Sequence, residues 1–174
     1  MESERLATLS TNVLNLSKYE NIEIMPDKKA FRLDEQIRRA IVLTEPKWAE
    51  KNITITVEMS EIIFDSNEDL TQQIWLNLLD NAIKFSNQNG TIIIRLENLN
   101  GGIRFTIQDD GIGMSEETKA RVFDKFYQGE SSRARAGNGL GLAVVKRITE
   151  LCGGKIEIES KAGEGSMFSF WFPI

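Results

Sequence analysis

The stretch NLLDNAIKFS, from Asn77 to Ser86, closes a longer segment whose apolar residues recur at helical spacing. From Glu68 to Ser86, Leu70, Ile74, Leu78 and Ile83 with Trp75, Leu79 and Ala82 form a wide apolar stripe, the pattern of a helix laid against a core. Asn77, Asn81 and Lys84 are spaced four and three apart along it and therefore share one face. Two carboxamide oxygens can serve a hard cation, and an ammonium can neutralise phosphate, so this face reads as half of a phosphate-binding site. Three glycine-marked segments follow in order: DDGIGM (Asp109 to Met114), GNGLGL (Gly137 to Leu142) and GEGSMF (Gly163 to Phe168).

Working outward, Leu6, Leu9, Val13 and Leu16 predict an amphipathic helix or coiled-coil arm from Glu2 to about Tyr19. Its abrupt start suggests a piece cut from a longer protein. The segment around Pro26 has no clear period and reads as a linker. A short strand is expected at Phe31 to Leu33, and Asp34 then caps a helix with Ile37, Ala40, Ile41 and Ala49 inward, broken at Pro46. ITITVEM (Ile53 to Met59) and IIF (Ile62 to Phe64) read as strands. Beyond the long helix, strands Thr91 to Leu96 and Ile103 to Gln108 flank the turn ENLNGG. A polar stretch, Ser115 to Asn138, is interrupted by RVFDKFY. A helix from Leu140 to Cys152 then ends at Gly153 and Gly154. The last strands, Ile156 to Glu159 and Met167 to Phe172, put Phe168, Phe170 and Phe172 on one side. The expected fold class is α+β: a two-layer sandwich of a mixed, largely antiparallel sheet with helices on one face.

With 174 residues and 41% hydrophobic composition, the chain can bury a core as one domain with an appendage. Its net charge of −5 argues against a nonspecific nucleic-acid binder. No apolar run approaches the ~20 residues of a bilayer span, and no signal peptide is legible, so the expectation is a soluble, cytoplasmic chain. The single Cys152 excludes an intrachain disulfide and a multi-cysteine zinc site. The absence of histidine removes His-based acid/base chemistry and His-containing triads.

An ionised Asp109 is acceptor-only, so it can receive the exocyclic amine of adenine but repels the carbonyl of guanine. GNGLGL opens a helix whose free amides and dipole can hold phosphate. Each motif alone has a plainer reading: an ordinary Asp-Gly turn, a tight passage into a helix, a solvated helix face, and an aromatic plug for RVFDKFY. Their joint order favours a nucleotide site.

In that order the chain resembles the ATP-binding catalytic domain of two-component sensor histidine kinases, within the gyrase, chaperone, histidine kinase and mismatch-repair ATPase superfamily. NLLDNAIKFS resembles the N box, DDGIGM the first glycine box, VFDKFY the F box, GNGLGL the second glycine box, and GEGSMFSFWFP the closing strand signature. The resemblance implies a Bergerat-type fold over residues 31–174, with a lid at about 115–137. Residues 21–30 would be a linker, and residues 1–20 the end of the second helix of the dimerisation and phosphoacceptor hairpin, whose histidine-bearing first helix is missing. It implies Mg²⁺ and ATP as cofactors, with Asn81 the metal ligand, Asn77 its helper and Lys84 on the phosphates. Asp109 would select adenine. Gly111, Gly113 and Phe85 would line the base pocket, and Gly137, Gly139, Leu140 and Gly141 would hinge the lid and bind phosphate. The implied partners are the hairpin domain of a homodimeric parent, anchored in a membrane as many relatives are, and the receiver domain of a response regulator.

The sequence departs from the pattern at Phe85, where tyrosine is common, at Gln128, where an arginine is common, and at Asn138, where threonine is usual. Arg133 or Arg135 is left as the lid cation. Two rivals stand beside the kinase. One is an ATP-driven clamp, which in those relatives uses a glutamate ahead of the metal asparagine, where this chain has Asn77. The other is a nucleotide-binding module without turnover, against which the retained Asn81, Lys84, Asp109 and glycines argue.

Overall fold

In the computed structural model, which describes residues 2–129, 137 and 139–174, five strands form one mixed sheet. They are β2 (Thr54–Met59), β4 (Thr91–Leu99), β5 (Gly102–Asp109), β6 (Lys155–Ser160) and β7 (Ser166–Pro173), in the order β2-β4-β5-β7-β6. Alternation aims Ile92, Ile94 and Leu96, then Ile103, Phe105 and Ile107, then Phe168, Phe170 and Phe172 at one face, where all are buried. Helices α2 (Leu33–Leu43), α4 (Glu68–Phe85) and α6 (Gly141–Leu151), the last preceded by the short α5 (Glu116–Arg121), bring the apolar stripes of α2, α4 and α6 to the same core. The expected α+β class holds.

The pairing of β2 with β4 is parallel, whereas the neighbouring pairs are antiparallel. The hairpin between β4 and β5 is tighter than ENLNGG suggests, because pairing continues to Leu99 opposite Gly102. A second, two-stranded sheet joins β1 (Lys29–Arg32) to β3 (Ile63–Ser66), with Phe31 opposite Phe64.

Three local expectations need correction. Leu33 starts α2 rather than ending a strand, and Arg32, not Asp34, stands at its N-cap. Asp34 instead lies in the first turn, buried, accepting two hydrogen bonds from Arg32 (2.9 and 2.6 Å) and one from the Ile62 amide (3.2 Å). The bonds from Arg32 hold its carboxyl down at about 2, so the stability it contributes is lost only as pH falls toward that value. Ala49 is exposed, because the break before Pro46 separates α2 from α3 (Glu45–Glu50) and takes the second helix out of phase.

Helix α1 (Glu2–Glu20) lies against α6, burying Leu16 and Tyr19. Arg147 on α6 donates to the carbonyls of Tyr19 (3.1 Å) and Ile22, and Lys125 pairs with Glu20. Leu6, Val13 and Leu14 are exposed. The segment read as a linker is pinned to the body through buried Met25 and a hydrogen bond from Asn67 to the Pro26 carbonyl (3.0 Å). Among the described residues no helix is long and apolar enough to cross a membrane.

Candidate functional site

Helix α4 is fixed before it presents anything. The Asn67 side chain caps its start by accepting from the Leu70 amide (3.0 Å). Trp75, 1% exposed, lies 4.7 Å from the Phe105 ring and donates its indole N–H to Gln36 of α2 (2.7 Å). Such an aromatic contact contributes about 0.5–1.5 kcal/mol beyond burial. With the stripe held inward, the opposite face carries Asn77, Asn81, Lys84 and Phe85 into a cavity of about 950 Å³.

The Asn77 amide donates to the Gln73 carbonyl (2.8 Å), which leaves Oδ1 directed toward Gly141 at the start of α6. A Cβ on Gly137 would sit 2.5 Å from Lys84 Nζ, so the glycine loop and the lysine share one corner. Gly139 has φ 73°, a left-handed backbone, and its carbonyl accepts from the Phe126 amide (3.0 Å). Gln128, at the position where an arginine was expected, donates to the Gly137 carbonyl (2.8 Å) and so holds the loop from within.

Asp109 ends β5 at the floor of the cavity and is buried. Its Oδ1 accepts from the Gly111 amide (2.9 Å). Burial pushes its carboxyl up to about 6, with nearby Asp110 adding to the rise and the amides of Gly111 and Ser166 opposing it. The group is therefore mainly ionised at neutral pH, an acceptor in a largely desolvated pocket.

Of the predicted site residues, Asn77, Asn81, Lys84, Phe85, Asp109, Gly113, Gly137, Gly139 and Gly141 line this one cavity. Gly111 and Leu140 do not. Gly111 is buried behind the wall, with the Phe85 carbonyl where its Cβ would be, and Leu140 is fully buried in the core. Arg133, Arg135 and Asn138 lie outside the described residues. Among the contributors that sequence reading misses are Asn12 from α1 and the Lys47–Asp80 ion pair (2.8 Å) that joins α3 to α4 at the cavity. Nothing in local spacing marks them. Among the described residues there is no cluster of three or more His, Cys, Asp or Glu side chains able to hold a metal.

Residues 66–174 match the family described as histidine kinase-, DNA gyrase B- and HSP90-like ATPase. The chain is 34% identical to the sensor histidine kinase AruS of Pseudomonas aeruginosa, covering 98% of this chain and 18% of that protein. It is 36% identical to the heme sensor protein HssS of Staphylococcus saprophyticus, covering 97% and 36%. The chain thus spans about a fifth to a third of the length of these relatives. Among solved structures, full-length ShkA in complex with AMPPNP aligns over 99% of this chain and 36% of its own, at 29% identity and TM-score 0.85. The catalytic domain of histidine kinase ThkA aligns over 84% and 95%, at 30% identity and TM-score 0.75. ThkA in complex with the response regulator protein TrrA aligns over 98% and 48%, at 28% identity and TM-score 0.80.

Proposed function

The chain belongs to the histidine kinase-, DNA gyrase B- and HSP90-like ATPase family, and from that premise we propose that it is the ATP-binding catalytic part of a sensor histidine kinase. It binds ATP in the cavity between α4 and the glycine loop and donates the terminal phosphoryl group to a histidine on a hairpin domain, for relay to a response regulator receiver domain. The observation that carries this reading is the convergence of Asn77, Asn81, Lys84, Asp109, Gly113, Gly137, Gly139 and Gly141 on one cavity. The sensor kinases among its relatives, and the ThkA complex with TrrA, support the relay.

The chain's own groups divide the work. Asp109 accepts the adenine amine, Phe85 offers a ring beside the base, and Lys84 with the amides at the start of α6 spreads phosphate charge. Asn81, half-buried and open to the cavity, suits Mg²⁺, which takes few protein ligands and keeps water and phosphate oxygens as the rest. Bound there, the ion would neutralise charge between the phosphates. An incoming imidazole nitrogen needs no proton removed to attack, so the site requires position and charge rather than a general base. The bond from the terminal phosphorus to the bridging oxygen breaks, a phosphorus–nitrogen bond forms, and ADP leaves.

Residues 1–20 are read as the end of the hairpin's second helix, and exposed Leu6, Val13 and Leu14 support a homodimeric parent through that helix. A lid is proposed over about residues 115–137, of which 130–136 lie outside the described residues. Localisation is proposed as cytoplasmic. Asn77 also disfavours the hydrolytic clamp, since an amide cannot take a proton from water as a glutamate can.

Transfer in trans tests the proposal. This chain has no histidine, so with ATP and magnesium it should carry no acid-labile label. A separate hairpin domain bearing the parent's histidine should acquire acid-labile, base-stable label, slowly, because the reactants are no longer tethered. Rapid phosphate release without any acceptor would instead favour the clamp.

A pH series gives a second expectation. Adenine needs the ionised carboxylate, so adenosine affinity should be level above about pH 7 and fall as Asp109 protonates below about 6, approaching tenfold per pH unit. Fold stability moves the other way. The folded value stands above the ordinary 3.8, so the contribution of the protonated group is full below that value and is lost as pH rises through about 6. Calorimetry against pH checks the first, and unfolding midpoints without ligand check the second. Affinity that is flat from pH 7 to 5 would count against Asp109 as the adenine acceptor.

A further inference from the structure

The C-terminal end of α4 is held from outside its own helix by one side chain. Lys51, which follows the last residue of α3, directs Nζ at the carbonyls of Ile83 (2.7 Å), Lys84 (3.3 Å) and Ser86 (2.6 Å). An ammonium has three N–H donors, and three acceptors converge on this one. The last carbonyls of a helix lack intrahelical partners and carry the negative end of its dipole, so a cation satisfies both needs. The remaining carbonyl of that turn, on Phe85, accepts from the Ile112 amide (3.2 Å).

Lys51 is itself anchored. Its carbonyl accepts from the Asn89 amide (2.9 Å), the neighbouring Asn52 side chain donates to Asn89 Oδ1 (2.7 Å), and the Thr54 amide bonds the Gly90 carbonyl (2.9 Å). The turn between α3 and β2 is thereby knit to the loop leaving α4. Lys84 and Phe85, whose backbone this arrangement fixes, reach into the cavity from the last turn, with Asn81 one turn earlier.

We propose that Lys51 is a positioning residue for the nucleotide site: by capping α4 it sets the backbone from which Lys84 and Phe85 meet the ligand. This rests on reading the cavity as an ATP site. A freed last turn would let the Lys84 backbone rotate, moving its ammonium away from Gly137 and the glycine loop.

The test is a double-substitution cycle on the full chain, Lys51→Met with Lys84→Met, read as affinity for ATP with magnesium and as unfolding midpoint. Lys51→Met should lower ATP affinity by about tenfold, the lower end of what losing an orienting partner costs at metal sites. Lys51→Arg should restore most of it, since a guanidinium also donates to several carbonyls. In the Lys84→Met background, Lys51→Met should change ATP affinity less than in the wild type, the remainder running through Phe85. If Lys51→Met does not fold, Lys51→Gln enters the same cycle. Unchanged ATP affinity in a folded Lys51 variant, or losses that simply add to those of Lys84→Met, would overturn the positioning role. A wild-type chain that binds no ATP would overturn the ATP-site reading instead.

Discussion

Asp109→Asn is expected to lose adenosine affinity by about 1–3 kcal/mol, roughly 5- to 150-fold, while its unfolding midpoint at pH 7 stays at or above that of the wild type. The two halves of this expectation have one cause. The carboxylate is buried on the cavity floor and its ionised form is disfavoured there, so a neutral amide removes a charge the fold bears at a cost. The amide can still accept from Gly111 through its oxygen, but it turns an N–H donor toward a ligand amine that needs an acceptor. Titration calorimetry with adenosine, paired with thermal unfolding, separates the outcomes. Unchanged affinity would refute Asp109 as the adenine acceptor, and a large fall in midpoint would make it a structural residue.

Gly111→Ala should be strongly disruptive although the residue lies behind the cavity wall. Its Cβ would stand 2.0 Å from the Phe85 carbonyl oxygen, 2.7 Å from the carbonyl carbon and 2.9 Å from Asp109 Oδ1. The nearest obstacles are backbone, which cannot swing aside as a side chain would, so α4 and the β5 turn must part. Parting them breaks the bond from Ile112 to Phe85, and the methyl's approach to Asp109 Oδ1 strains the bond from Gly111 to Asp109. A loss of stability on the order of 1–3 kcal/mol or more is expected, together with loss of measurable adenosine binding. A variant with wild-type midpoint and affinity would show that the turn can yield, and that Gly111 is not what keeps these two segments in contact.

The legible part of this molecule was whatever local period encodes. Helix α4 announced itself through its stripe, and Phe168, Phe170 and Phe172 through alternation. The order of the glycine segments carried the site, and most of those residues do converge. What failed was non-local. Alternation in Ile53 to Val57 gives a strand its faces but not its partner's direction, so the parallel pairing with β4 was unreadable. Asp34 before an apolar run looks like a cap, yet its partners include the Ile62 amide, 28 residues away. Lys51 between a helix and a strand looks like a solvated charge, because only the fold brings the end of α4 to it. Asn12 and Lys47 escaped for the same reason, being contributed by elements whose docking no spacing records.

The parallel pair also governs how the domain comes apart. A tight turn cannot join parallel strands, so the chain leaves β2 at Met59, runs through β3 and α4, and returns at Thr91 to pair beside it. The two strands can meet only after that long excursion has been closed, at an entropic cost recovered when the core forms. Conversely, α4 cannot swing free as a unit while both strands that bracket it stay zipped and its stripe stays under the sheet. Its opening therefore belongs to the global event rather than to local fraying, unlike the solvent-exposed start of α1. The ligand-facing helix has no milder melting route than the loss of the whole domain, so α4 presents its face to the cavity wherever the domain is folded.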